Sequence, residues 1–211
     1  IVVSGMTFPN NPYCTIGAFA DDYFENLAGA VKALDRSELA KAAEMLQSTY
    51  KTGGYVFACG NGGSAALSNH LHCDHLKSVQ TDTTLKPKVL SLSAAIETVT
   101  AIANDISYDE VFVYQLKTLA SPGDALITIS SSGDSENIVK ACQWAKDNGV
   151  SIIAMTGFNG GRSRGIADVS LHVDADNYGV IEDLHQSLMH VLAQFIRQEE
   201  MDDSLIADRK F

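Results

Sequence analysis

The chain has 211 residues, 45% of them hydrophobic and 19% charged, and carries a net charge of −11. That length and apolar fraction suit one domain with a sizeable core, and no apolar run approaches the ~20 residues that a membrane-spanning helix needs. The 15 Lys and Arg are scattered, which argues against a nucleic-acid backbone as a direct partner but leaves small anions open, because N–H groups at a helix terminus bind phosphate without a positive protein.

In chain order, residues 17–33 show helical apolar spacing, and DRSELAKAAEMLQSTY follows with Asp35 and Glu38 spaced as in a capping box. These two helices, about 17–52, stop at Gly53-Gly54. YVFACG then reads as a buried strand, GNGGS as a turn, and residues 64–78 as a helix. The remaining pattern is KVLSLS strand, AIETVTAIAND helix, EVFVYQLKTLA helix, ALITIS strand, SENIVKACQWAKDNG helix, SIIAMTG strand, VSLHV strand and a last helix over 180–198. Apolar strands alternating with helices predict a parallel sheet covered on both faces, a three-layer α/β/α sandwich in one domain with its α/β core over about 55–198. The acidic segment 199–211 has weak periodicity and is expected to fray.

The opening segment IVVSGMTFPNNPY has neither the basic start nor the long apolar centre of a secretory leader. Cys14, Cys59, Cys73 and Cys142 show no C-x-x-C spacing. Both observations predict a cytoplasmic protein with reduced thiols, in which Cys59 and Cys73 are small buried residues.

Two polar turns follow strands of the predicted sheet. GNGGS lets a ligand approach the backbone and leaves free N–H groups at a helix start, although Gly and Ser are equally common in turns that bind nothing. ISSSGDSEN carries more hydroxyls, on Ser130, Ser131, Ser132 and Ser135, than one helix cap requires. Two such loops at one sheet edge point to phosphate. On the helix after the first loop, His70 and Asp74 are four residues apart and share a face, a spacing that suits two ligands of one metal and equally a solvated polar face. Consecutive residues diverge by 100°, which sets Cys73 and His72 aside. On the last helix Glu182 and His190 are eight residues apart, about two turns, with His185 and Gln186 between them.

GNGGS, SSSGDS with Asn137 after it, TAIAND followed by Y-x-x-VF-x-x-Q, and TG-x-x-GG together resemble the sugar isomerase (SIS) domain family, and within it the phosphoheptose isomerases. The resemblance covers about residues 15–198. It implies that Asn61, Ser64, Ser130, Ser131, Ser132 and Ser135 hold the phosphate of a sugar substrate, and that zinc lies between His70, Asp74, Glu182 and His190. Asp74 stands where the family has Glu and Glu182 where it has Gln, both still oxygen donors that zinc accepts beside imidazole. Ala95 and Gly179 replace polar or acidic residues.

The reaction so implied converts sedoheptulose 7-phosphate to D-glycero-D-manno-heptose 7-phosphate, for surface polysaccharide, through an enediol, with Asp74 as base and His190 as acid. The resemblance further implies a homotetramer with interfacial sites, to which the apolar first and last helices could contribute. A second reading stands beside it: a non-catalytic SIS module that binds a phosphosugar or a protein partner such as a replication initiator.

Overall fold

The computed structural model describes residues 7–211; residues 1–6, the start of the segment read above as lacking a leader, lie outside the described residues. Two helices, α1 (Ile16–Ala33) and α2 (Arg36–Thr52), precede β1 (Tyr55–Gly60). There follow α3 (Gly63–Lys77), β2 (Lys88–Ser91), α4 (Ile96–Asp105), α5 (Val113–Leu119), β3 (Ala125–Ile129), α6 (Glu136–Asp147), β4 (Ser151–Thr156), α7 (Gly161–Ile166), β5 (Val169–His172) and α8 (Tyr178–Glu200). Among the described residues no helix is long and apolar enough to cross a membrane.

The five strands form one sheet in the order β2-β1-β3-β4-β5, and every neighbouring pair is parallel. Successive side chains of a strand face opposite sides, so the alternation divides the core in two. Val56, Ala58, Ile127, Ile153 and Met155 pack under α2, α3 and α8, whereas Phe57, Cys59, Leu126 and Ile152 pack under α5 and α6. The expected three-layer sandwich is therefore the observed one. Because the chain leaves β1 for β2 on one side and returns to β3 on the other, the strand order reverses at β1/β3, and a crevice opens beyond the carboxyl ends of these strands. Their register pairs Gly60 with Ile129, so the loops that begin at Asn61 and Ser130 emerge side by side.

Four local expectations change. Asp35 does cap α2, its Oδ1 accepting from the N–H groups of Ser37 and Glu38, but the Glu38 carboxylate accepts from Ser170 N at 2.8 Å and pairs with Lys41. Only half of a capping box forms, because Ser170 and, within the same helix, Lys41 take the Glu. The stretch 110–120 is shorter in helix than its pattern implies, with a 3₁₀ turn at Tyr108–Glu110 ahead of α5. GRSRGI forms α7 with no apolar periodicity to announce it. The segment after α8 does not fray: Met201 is buried and pairs with Thr83, and residues Asp203–Asp208 form a 3₁₀ helix. Its anchor is Arg197, a buried guanidinium that donates to Thr81 O, Asp82 Oδ2 and Lys210 O. A buried charge needs such partners, and tail composition alone does not reveal them.

Candidate active site

At the loop end, Asn61 and Asn137 form a reciprocal amide pair. Asn61 Nδ2 donates to Asn137 Oδ1 at 2.9 Å and Asn137 Nδ2 returns to Asn61 Oδ1 at 3.0 Å, while Tyr108 Oη donates to the same Asn61 oxygen at 2.8 Å. Asn137 and Tyr108 thus join the site. Their positions within the quoted motifs are the signal that could have found them, but nothing in the spacing shows that they hold Asn61. The pair ties the turn before α3 to the first turn of α6.

The serines gather on the same crevice. Ser64 lies in the first turn of α3, and Ser130, Ser131, Ser132 and Ser135 lead into α6. Ser130 and Ser132 accept from the N–H groups of Gly133 and Asp134, which fixes the loop's shape. Ser131 Oγ is buried without a partner, and Ser135, the N-cap of α6, makes no side-chain cap bond. Free hydroxyls beside two uncapped helix starts provide donors for an anion. Gly133 is needed here for contact as much as for conformation: at φ 64°, a Cβ on it would fall 2.0 Å from Gly160 O, so the loop after β4 closes directly over the serine loop. Arg162 of α7 reaches back from that loop to Asp134 Oδ1 at 2.6 Å and Glu136 Oε2 at 2.9 Å. Its hydrogen bond holds the Asp134 carboxyl below the usual carboxylate range and offsets two negative charges beside the serines.

The helix end is built between α3 and α8. Asp74 stands between two imidazoles, with His190 Nδ1 2.8 Å from Oδ2 and His70 Nε2 3.4 Å from Oδ1. On the opposite side, Gln186 Nε2 lies 3.0 Å from His70 Nδ1 and 2.8 Å from His190 Nε2. An amide nitrogen only donates, so in this arrangement both imidazoles accept from Gln186 and carry their protons toward Asp74. The nearest ligand atoms of His70, Asp74 and His190 all fall within 4.8 Å of one another, so these three residues could hold a metal ion. Two imidazole nitrogens and a carboxylate are a donor set that suits zinc, and all three groups remain partly open to solvent.

Glu182 is not brought to this cluster. Its Oε2 lies 2.7 Å from where a Cβ on Gly63 would stand, so the carboxylate rests against the start of α3, a full helical stretch before His70. Cys73, expected to be buried, is exposed, because α3 turns that position away from the sheet. Cys59 is buried as expected, and burial pushes its thiol well up. His75 belongs to the core: it is fully buried, bonded to Tyr50 Oη at 2.8 Å and close to Met189 O, and desolvation lowers its pKa to about 4. Gly179 has a local reason, since a Cβ there would lie 2.9 Å from Tyr23 Oη. Tyr23 donates to Asp183 Oδ2 at 2.6 Å, and burial followed by that bond pushes its pKa up to about 12. The side chain absent at 179 is thus replaced in space by a tyrosine from α1. Ala95 occupies the N-cap of α4, which has no side-chain cap bond.

Comparison with known proteins follows the same lines. Residues 21–157 match the SIS domain family model. A phosphoheptose isomerase of Shewanella sp. (strain ANA-3) is 39% identical over 170 residues, covering 79% of this chain and 85% of that protein. Among solved structures, the phosphoheptose isomerase of Francisella tularensis superposes with a TM-score of 0.80 at 30% identity, covering 87% of this chain and 96% of that one. That of Neisseria gonorrhoeae does so with a TM-score of 0.78 at 30% identity, covering 86% and 96%. A fold and a set of motifs shared with these enzymes over most of the chain favour a catalyst over a non-catalytic binding module: the chain belongs to the SIS domain family and is an isomerase of the phosphoheptose isomerase type.

Proposed function

We propose that this isomerase interconverts a ketose phosphate and an aldose phosphate, with sedoheptulose 7-phosphate as substrate and D-glycero-D-manno-heptose 7-phosphate as product, and that zinc is its metal. The coarser reading, a sugar-phosphate isomerase, follows from the relatives' activity. The observation that supports the finer one is the carboxylate of Asp74 held between two imidazoles, on the helix that opens with the GNGGS loop. In this reading Asn61 positions the loop, while Ser64, Ser130, Ser131, Ser132 and Ser135 take the phosphate at the two helix starts.

The reaction moves one proton between C1 and C2 and one between their oxygens, through an enediol. Asp74 removes the carbon-bound proton and returns it to the neighbouring carbon. His190, bonded to Asp74, gives a proton to the carbonyl oxygen and recovers one from the hydroxyl, so no proton is gained or lost over the cycle. His70, Asp74 and His190 would hold the zinc ion, which when bound supplies Lewis-acid polarisation at the substrate oxygens. We expect the purified protein to carry near-stoichiometric zinc, to lose isomerisation on chelation, and to prefer a heptulose in a screen of five- to seven-carbon ketose phosphates. Metal-free protein that binds sugar phosphates tightly and never turns them over would overturn the proposal.

The proposed assembly is a homotetramer. Ile16, Phe24 and Val31 of α1 and Val191 and Phe195 of α8 leave large apolar side chains exposed, which a single chain of this size does not ordinarily gather on neighbouring helices. Light scattering at micromolar concentration is expected to give four times the chain mass, and a monomer would refute it.

A further inference from the structure

We propose that Tyr23 is a specificity-determining residue of this isomerase, its oxygen accepting a hydrogen bond from a hydroxyl on the phosphate-proximal carbons of the sugar. The inference rests on the reading of the chain as a sugar-phosphate isomerase and deepens it. Gly179, Glu182, Gln186 and His190 follow one another at intervals of three, four and four residues, so they form one stripe along α8, and all four are half-buried. The stripe runs beside α3: Glu182 lies against Gly63, Gln186 against His70 and His190 against Asp74. It thus spans the interval between the proposed anion-binding end, at Ser64, and the proposed proton-transferring end. Its first position carries no side chain. The space above Gly179 holds the hydroxyl of Tyr23, 2.9 Å from where a Cβ would stand.

The chemistry of that hydroxyl is fixed by its neighbours. Tyr23 stands on α1, and its ring packs edge-on against Phe8 and Phe24, with centroids 6.0 and 5.7 Å away, so it has little freedom to swing. Its proton goes to Asp183 Oδ2 at 2.6 Å. A phenol whose proton is committed keeps lone pairs to accept with and nothing to donate, and a carboxylate partner makes its oxygen the stronger acceptor. Glu182, the neighbour of Asp183 in sequence, presents a second acceptor at the start of α3. Tyr23 and Glu182 therefore suit a carbon that carries a hydroxyl. A deoxy carbon would leave the phenol oxygen without a partner, and a carbonyl or carboxylate would set acceptor against acceptor.

The test is kcat/KM of the full chain, unaltered and as Tyr23→Phe, on sedoheptulose 7-phosphate and on its analogues deoxygenated at C4, C5 and C6. Should the screen of ketose phosphates select a shorter sugar, that sugar and its deoxy analogues at the carbons next to the phosphate take their place. The unaltered protein is expected to lose about 10- to 100-fold on one analogue beyond the others. Tyr23→Phe, which keeps the ring and its packing, should lose a similar factor on the parent sugar and shrink the gap to that analogue to within about threefold. Gly179→Ala, whose methyl group displaces the hydroxyl, should shrink the same gap. A Tyr23→Phe penalty equal on the parent and all three analogues, or no penalty on any, would overturn the assignment and leave the hydroxyl a tie between α1 and α8, with the isomerase reading intact. An unaltered chain that turns over no ketose phosphate would overturn both. The readout is a ratio between substrates on one protein, so a general loss of active fraction cancels, and if Tyr23→Phe fails to fold by circular dichroism, the Gly179→Ala ratio decides.

Discussion

At the loop end of the site, Asn61, Asn137 and the serines are placed by backbone turns that follow two adjacent strands, and the amide pair locks them across a short gap. At the helix end, Asp74 is placed by side chains that reach across from α8, more than a hundred residues later in the chain. At the loop end, main-chain bonds and the Asn61–Asn137 pair hold most of the geometry, so a hydroxyl that supports no loop bond, as at Ser131, can be removed without loss of shape. The helix end has no such freedom. Each of its four side chains is the other's support, so removing one leaves polar atoms without partners in a partly buried seam.

Three variants break or sharpen this contrast. The largest effect is expected from His190→Ala, which strips Asp74 of its closest partner: turnover should fall by about 10²- to 10⁴-fold while phosphosugar binding, measured by calorimetry, persists. If binding is lost to the same extent, the two ends are not separable. Next comes Ser64→Ala combined with Ser132→Ala, expected to raise KM by about 10²-fold at nearly constant kcat, since each hydroxyl bond to a charged group contributes about 1.5–3 kcal/mol. An unchanged KM would remove the two-loop anion site.

The smallest effect is on stability and concerns His185, which neighbours Gln186 but faces inward. It is buried, bonded at 3.1 Å to Thr156 O, and desolvation lowers its pKa from 6.5 to about 4. The unfolded imidazole takes a proton near pH 6.5 and the folded one only near 4, so acid favours the unfolded chain across that window. Stability is fully present above about pH 6.5 and should decline by about 3 kcal/mol on approaching pH 4. Urea denaturation at several pH values should show this slope, to which buried His75 adds a similar share, and His185→Gln should reduce the combined slope by about half. An equal slope in the variant would mean that other groups set the acid limit.

The same contrast explains what sequence alone reveals. The strands, the two polar loops and the serines are local patterns, each confined to about ten residues, and they were legible as such. The i, i+4 spacing of His70 and Asp74 was legible for the same reason. Glu182 stands eight residues from His190 and at a family ligand position, yet its place is decided by how α8 sits on α3, which no local period encodes. Gln186 lay in view between Glu182 and His190, and its four-residue spacing from His190 was the available signal. Tyr23 carried none, because the chain supplies it from another helix to fill the space over Gly179.

Ser64, His70 and Asp74 all stand on α3, a single unbroken helix, so the proposed anion-binding end and the proposed proton-transferring end are marks on one rigid rod. At 1.5 Å per residue the marks lie about 9 and 15 Å from Ser64 along its axis. Loop motion cannot alter those intervals. Under the proposed assignment the helix acts as a ruler for the ligand, and sugars of different carbon number should differ in which carbon is presented to Asp74 more than in how firmly their phosphate is held.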